Sequence, residues 1–310
     1  MSKYMDNKRM FLEPTVSQYG SRMVMTNVNK PTKTKYWNID TQFCNDYTSL
    51  NTTEYNISLP EPINDVKSIK VKDVQIPITF YNISSSLGNN ILQVVDNTTE
   101  HNIILPNNQY DSISLATEIN NQFTGLGIQL TIDLSNNQHK TNITNHSINK
   151  QYDIRFAISN KNSCVGANVE FDKKFIKSKL GWILGFRNIA YTINNTTTLT
   201  SESVYYTYLK NIFLVIDEFS KGNENTFISP MYDSLLNKNI LAKISLDYES
   251  FPFGSILNGN DGGGYLLSDT RSYSGKVNLQ KLKIQLVNIY GFPIHMNGVD
   301  FSFSLEIEYE

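Results

Sequence analysis

Phe301-Ser302-Phe303-Ser304-Leu305-Glu306-Ile307-Glu308-Tyr309-Glu310 decides the fold class. Large apolar side chains occupy every odd position, and serine or glutamate every even one. Successive side chains of an extended strand point to opposite faces, so this stretch lays five apolar groups on one face and five polar groups on the other. It reads as a strand buried on one side and wet on the other, as in an antiparallel sheet.

Working upstream, the same period of two recurs. Val277–Asn288, Tyr265–Leu267, Ile240–Tyr248 and Val204–Asp217 read as strands. So do Tyr152–Ser159, His139–His146 and Gly127–Leu134. Ile91–Val95 and His101–Leu105 bracket Asp96-Asn97-Thr98-Thr99 as a hairpin. In Val66–Pro77, Ile69 and Val71 share a face with Val74 and Ile76 only if one residue slips, which predicts a bulge at Lys72-Asp73. Glu54–Leu59 alternates up to Pro60, and Tyr36–Asp40 is strand-like. Two short helices are expected. One is capped by Asp111 or Ser112, carries Leu115, Ile119 and Phe123 on one face, and stops at Gly125. The other carries Phe171, Phe175 and Ile176 and ends near Gly181. Asn194–Thr198 and Asn258–Gly264 read as long surface loops.

At least ten strands, few helical segments and closely spaced turns predict an all-β chain: an antiparallel two-sheet sandwich, most simply a jelly roll with long loop insertions. Composition agrees. The 310 residues are 40% apolar, with 18 Tyr and 16 Phe to build a core, and 38 Asn against five Ala, which disfavours long helices.

Residues 1–34 differ from the rest and are set apart as an extended N-terminal arm. Lys3, Lys8, Arg9, Arg22, Lys30, Lys33 and Lys35 face only Asp6 and Glu13 up to residue 35. Five of the seven methionines also lie in the arm, and no period is sustained. Such an arm is expected to order only on a receiving surface: a neighbouring subunit, an anionic membrane face or nucleic acid. Residues 35–310 are taken as one domain, with a small protruding insertion expected within about 80–200. The net charge of −2 argues against general polyanion binding by the whole chain.

Chemistry is hard to place in this sequence. His101, His139, His146 and His295 sit in no metal-binding spacing; seven residues apart in one strand, His139 and His146 would face opposite ways. Cys44 and Cys164 form neither a disulfide framework nor a zinc motif and are expected to be reduced, buried thiols. Asn258, Asn260 and Asp261 supply one carboxylate and no closing glutamate, a poor calcium cage. Gly262-Gly263-Gly264 precedes a strand rather than the helix a phosphate cradle needs. Tyr205, Tyr206 and Tyr208 near Phe213 fit either a stacking platform or, by weight of precedent, core and subunit contacts. No catalytic, cofactor-binding or metal-ligating residue is assigned, and no cofactor is implied. Eight Asn-x-Ser/Thr triplets follow from Asn and Thr abundance; without a leader segment they are not read as glycosylated.

An ordered series of phrases carries a family resemblance. It comprises Lys179-Leu180-Gly181-Trp182-Ile183-Leu184-Gly185-Phe186-Arg187, Thr200-Ser201-Glu202-Ser203, Tyr206-Thr207-Tyr208-Leu209 and Val215-Ile216-Asp217-Glu218-Phe219. Asn239–Ile244, Arg271–Val277, Leu282–Val287, Tyr290-Gly291, Asn297-Gly298 and Asp300–Glu306 complete it, with Tyr55–Pro60, Ile76-Pro77 and Tyr81-Asn82-Ile83 near the start. The series resembles the minor capsid and penton proteins of giant (nucleocytoplasmic large) DNA viruses and virophages. It departs at Phe292-Pro293-Ile294-His295, where that family usually has a charged, arginine-containing turn. The resemblance implies a non-enzymatic jelly-roll subunit of an icosahedral virion, assembled in the host cytoplasm. It further implies a homo-oligomer, five copies closing each vertex, in contact with a major capsid protein. The arm would then reach an internal membrane or the viral genome. The competing reading from the residues is a carbohydrate-binding jelly-roll surface module, served by exposed tyrosines and Asn- and Gly-rich loops. A jelly-roll hydrolase or oxygenase ranks below both.

Overall fold

The computed structural model describes residues 15–16, 22–23, 31–44, 53–97, 99–160, 169–171, 176–219 and 239–310. In chain order the strands before the first helix are β1 (Thr15–Val16), β2 (Arg22–Met23), β3 (Lys33–Asp40), β4 (Glu54–Pro77), β5 (Ile91–Asp96) and β6 (Thr99–Ile104). Helix α1 (Ser112–Gly125) is followed by β7 (Leu130–Asp133), β8 (Lys140–Asn145), β9 (Tyr152–Arg155), β10 (Ile158–Asn160) and β11 (Val169–Phe171). After α2 (Leu180–Ile183) come β12 (Ala190–Ile193), β13 (Thr198–Val204), β14 (Asn211–Asp217), β15 (Ile240–Ser245), β16 (Ile256–Asn260), β17 (Leu266–Ser268), β18 (Arg271–Asn288) and β19 (Ser302–Tyr309). Every strand pairing among them is antiparallel, as expected of an all-β jelly roll.

The alternating C-terminal stretch becomes β19 and lies between β3 and β4, with Phe303 opposite both Ile39 and Val74. Phe303, Leu305 and Ile307 are buried, as are Phe301, Val71 and Val74 around them. The polar row makes a ladder on the outer face: Tyr36 Oη donates to Glu306 at 2.8 Å and Ser68 Oγ to Glu308 at 3.0 Å. The register between β19 and β4 jumps between Asp73 and Val71, so the bulge sits where the hydrophobic slip requires it.

The two sheets of the expected sandwich are joined. β4 and β18, 24 and 18 residues long, are shared between neighbours. One eight-stranded sheet, β17-β15-β14-β18-β4-β19-β3 with β16 added on β4, therefore curls around a single core. Pro60 does not end a strand. Instead the β4–β18 ladder skips from Ser58 to Ile63 against Lys281 and Leu279, and the prolines fall in that gap, where no ladder N–H is needed.

A second core runs from Ile83 to Ile193. It is enclosed by the sheets β12-β9-β5-β6 and β13-β8-β7 and by α1. Asp111 caps α1: its side chain accepts from Ser114 N at 2.7 Å, while Ser114 Oγ accepts from the Asp111 N–H at 3.0 Å. Leu115, Ile119 and Phe123 are the buried face of that helix. Asn120 seats it on β7 by exchanging two hydrogen bonds with the Ile132 backbone.

Other expectations are corrected. Val204–Asp217 is not one strand. β13 pairs with β8 beside the second core and β14 with β15 and β18 in the body, so residues 205–210 must break the ladder to change sheets. The second helix is α2, around Gly181 rather than ending there; Phe171 belongs to β11, and Phe175 lies outside the described residues. Asn258–Asn260 is strand rather than loop. Gly259 sits opposite Val74, where an added Cβ would come 3.0 Å from Val74 Cγ2, so the small residue permits the pairing. Of the arm, β1 and β2 are described as a paired antiparallel ribbon, and its last two residues, Lys33 and Thr34, open β3 opposite Tyr309 and Glu308; the rest of it up to residue 30, like Cys164, lies outside the described residues.

Candidate functional site

The residues considered for chemistry are scattered. His101 faces Val94 across the β5–β6 hairpin, His139 lies in a turn at φ 51°, and His295 is exposed beyond the body sheet. His146 pairs with Thr131 Oγ1 at 2.8 Å, so it and His139 flank the ends of β8 rather than share the strand. Asp261 is held by Lys70 at 2.8 Å and Lys72 at 3.3 Å, which already balance its charge and pull its carboxyl below the usual range. Asn260 Oδ1 accepts from Gly262 N in the adjoining turn. Among the described residues no group of three His, Cys, Asp or Glu side chains is placed to hold a metal. Cys44 is buried at the edge of the body core.

Two surfaces do gather side chains from distant segments. The first lies at one end of the body. Asp40, Ser302, Gln75 and Asn258 are register neighbours on β3, β19, β4 and β16, so four adjacent strands terminate or turn there. Neighbouring strands lie about 4.8 Å apart, which places these ends within roughly 15 Å. The segments just beyond are tied together: Thr41 N–H donates to Phe301 O, Thr79 Oγ1 to Met296 O, and Gly254 N–H to Ile78 O. From them Phe43 (74% exposed), Phe253, Ile256 (54%) and Val299 project into solvent, and Phe253 stacks on Tyr81 with centroids 6.0 Å apart.

The second is a groove of about 440 Å³ where the two cores meet. Its geometry starts from the phrase around Gly181 and Gly185. Leu180 and Leu184 anchor α2 in the second core. At Gly181 a Cβ would come 2.3 Å from Phe156 Cγ, and Phe156 in turn stacks on Phe186 at 4.9 Å. Gly185 adopts φ +92°, and an added Cβ would overlap Ser203 O, a conformation and an approach that favour glycine. Ser203 N–H donates to Gly185 O at 3.0 Å and Tyr206 N–H to Ile183 O at 2.8 Å. Those bonds clamp the crossing segment to α2, so that Trp182, Arg187 and Tyr206 border one opening.

From the body side come Tyr208, packed on Tyr248 at 4.7 Å, Lys210, and Tyr290, whose hydroxyl donates to Lys177 O at 2.6 Å. The Arg187 guanidinium lies 4.1 Å from the Trp182 ring centre and Lys210 Nζ 5.0 Å from that of Tyr206. Burial raises the Tyr206, Tyr248 and Tyr290 hydroxyls above the ordinary tyrosine range, so they stay neutral and the charge of the groove comes from its lysines and arginine. Of the expected aromatic platform, Tyr206 and Tyr208 line this groove. Tyr205 packs on the second core, and Phe213 is buried with Val215, Ile240 and Val287 on the opposite face of β14. Sequence reasoning did not connect Trp182, Arg187, Lys210 and Tyr290, which lie up to about 110 positions apart; the glycine-punctuated helix phrase was their only local signal.

No family model matches the chain, and no curated protein does. Among solved structures, the mavirus penton protein is similar over 91% of this chain and 100% of its own length, with 10% identity and a TM-score of 0.42. A chain from the structure of the Sputnik virophage is similar over 90% and 98%, with 14% identity and a TM-score of 0.40.

Proposed function

We propose that this chain is a non-enzymatic structural subunit of a virion shell, a penton or other minor capsid protein. It self-assembles into rings of five and contacts a separate major capsid protein. The observation that carries this reading is the apolar end of the body, where Phe43, Phe253, Ile256 and Val299 emerge from four segments brought together by the sheet. Exposed apolar groups gathered at one end of a folded body fit a surface that a partner covers. A five-fold ring requires a heterologous contact, in which this end meets a different surface of the next copy. The number five comes from the sequence resemblance. Glu218 on Arg271 and Asp261 on Lys70 and Lys72 are acids committed to ion pairs within the fold.

On this reading residues 35–310 form one capsid domain, the segment around the second core is its protruding insertion, and residues 1–34 are a basic arm for the membrane or genome inside the shell. Assembly would take place in the host cytoplasm. Native mass spectrometry of the full chain tests the proposal. A dominant species of five copies is expected; a monomer at every concentration, with no binding to a shell protein, rejects it.

A further inference from the structure

The groove between the two cores has a chemistry that ring assembly does not use. Its walls include the cations Lys177, Arg187 and Lys210, and no carboxylate among the described lining residues. Arg187 commits Nη1 to the carbonyls of Trp182 and Phe186, at 3.0 and 3.1 Å, and lies over Trp182. Lys210 lies over Tyr206. A cation set on an aromatic face is positioned without being neutralised, unlike one in a salt bridge. The acid beside Arg187, Glu202, is occupied by the Tyr191 hydroxyl at 2.6 Å and the Arg187 backbone N–H at 3.2 Å; it also feels the Arg187 charge, but it is not part of the groove wall, where Lys210 is the cation set on Tyr206.

We propose that this groove binds an anionic saccharide, a sugar bearing a carboxylate or a sulfate group. Its volume of 440 Å³ is of small-molecule size, enough for one or two sugar rings. The exposed rings of Tyr206 and Tyr208 offer apolar surface to the C–H faces of a sugar, and Thr207, Asn211 and Ser203 on the same wall offer hydroxyl and amide groups to its hydroxyls. Arg187 and Lys210 supply the charge complement. An extended acidic peptide fits less well. Capture by strand addition needs an unpaired strand edge, and the wall segments 205–210 and 289–290 are not strands.

Isothermal titration calorimetry of the full chain tests the site with 3′-sialyllactose, a sulfated heparin disaccharide, lactose, sodium acetate and sodium sulfate. Saturable binding of either charged sugar is expected, at least about tenfold tighter than lactose or the free anions, and the two charged sugars separate carboxylate from sulfate recognition. Lys210→Gln, an exposed change, and Arg187→Gln should each weaken it about tenfold. Thermal melting checks that each variant is folded, and Lys210→Gln carries the test if Arg187→Gln loosens α2. The proposal is overturned if neither charged sugar saturates the protein, or if lactose or the free anions bind as well. It is overturned equally if folded Lys210→Gln binds like the wild type, or if an acidic peptide or single-stranded oligonucleotide binds the groove more tightly than both sugars.

Discussion

The body core and the second core solve the same packing problem with opposite chain economy. In the body, strands from the two ends of the chain lie side by side: Lys33 is the register partner of Tyr309, and β4 contacts β16, β18 and β19 from more than 170 positions away. The second core is drawn from one continuous stretch, with a tight β5–β6 hairpin, a capped helix and two small sheets. Long-range strand pairing must overcome a large loop-closure cost before its contacts form, whereas local pairing does not. The body therefore depends on the whole chain being present, and the second core on little beyond itself. The groove lies where the chain passes between them.

The sharpest way to break this comparison is a reciprocal pair of core variants. Glu218→Ala leaves the Arg271 guanidinium buried without its carboxylate, now 2.8 Å away, and should cost about 3–5 kcal/mol. Phe123→Ala should cost a similar ~3–5 kcal/mol, through the cavity it opens between α1 and the sheets. Hydrogen exchange should show Glu218→Ala deprotecting β14 and β18 while β9 and α1 stay protected, and Phe123→Ala doing the reverse. Uniform loss in either variant would mean that the two cores form one cooperative unit.

Gly185→Ala probes the seam between them. The left-handed backbone and the overlap with Ser203 O should cost about 1–3 kcal/mol, read as a lower melting temperature, and should shift the indole fluorescence of nearby Trp182. The smallest expected effect is local to the second core. Asp111→Ala removes the α1 cap and should cost about 1 kcal/mol at neutral pH. Hydrogen bonds from Ser114 hold the Asp111 carboxyl below its ordinary value. The contribution of the cap is thus complete above the unfolded aspartate value of about 3.9 and is lost as pH falls through the lower folded one. Melts of wild type and variant should differ at pH 7 and converge at strongly acidic pH; a gap that persists there would show that the carboxylate charge is not what stabilises the helix.

How far the sequence was legible follows the same division. Alternation marked β19 and the Lys72-Asp73 bulge, because one face of those strands is buried and the other wet. The Asp111 cap and the Leu115, Ile119, Phe123 spacing marked α1. The misreadings share a cause: a local signal overruled by a partner far away in sequence. Pro60 reads as a stop until β18 accommodates it with a gap in the ladder. Asn258-Gly259-Asn260 reads as a loop until Val74 demands a residue without a side chain opposite it. Tyr205–Lys210 reads as strand until it has to leave one sheet for another. Both candidate surfaces were illegible for the same reason, since each gathers residues that only the sheet topology brings together.

Sedimentation velocity on the full chain, comparing wild type with Phe43→Asp/Ile256→Asp, tests most directly whether the apolar end of the body is the surface that builds the shell. Both side chains are exposed, so the double variant should melt like the wild type. The wild type is expected to sediment as a ring and the variant as a folded monomer. A wild type that stays monomeric as concentration rises, or a variant ring that persists unchanged, would contradict the proposal.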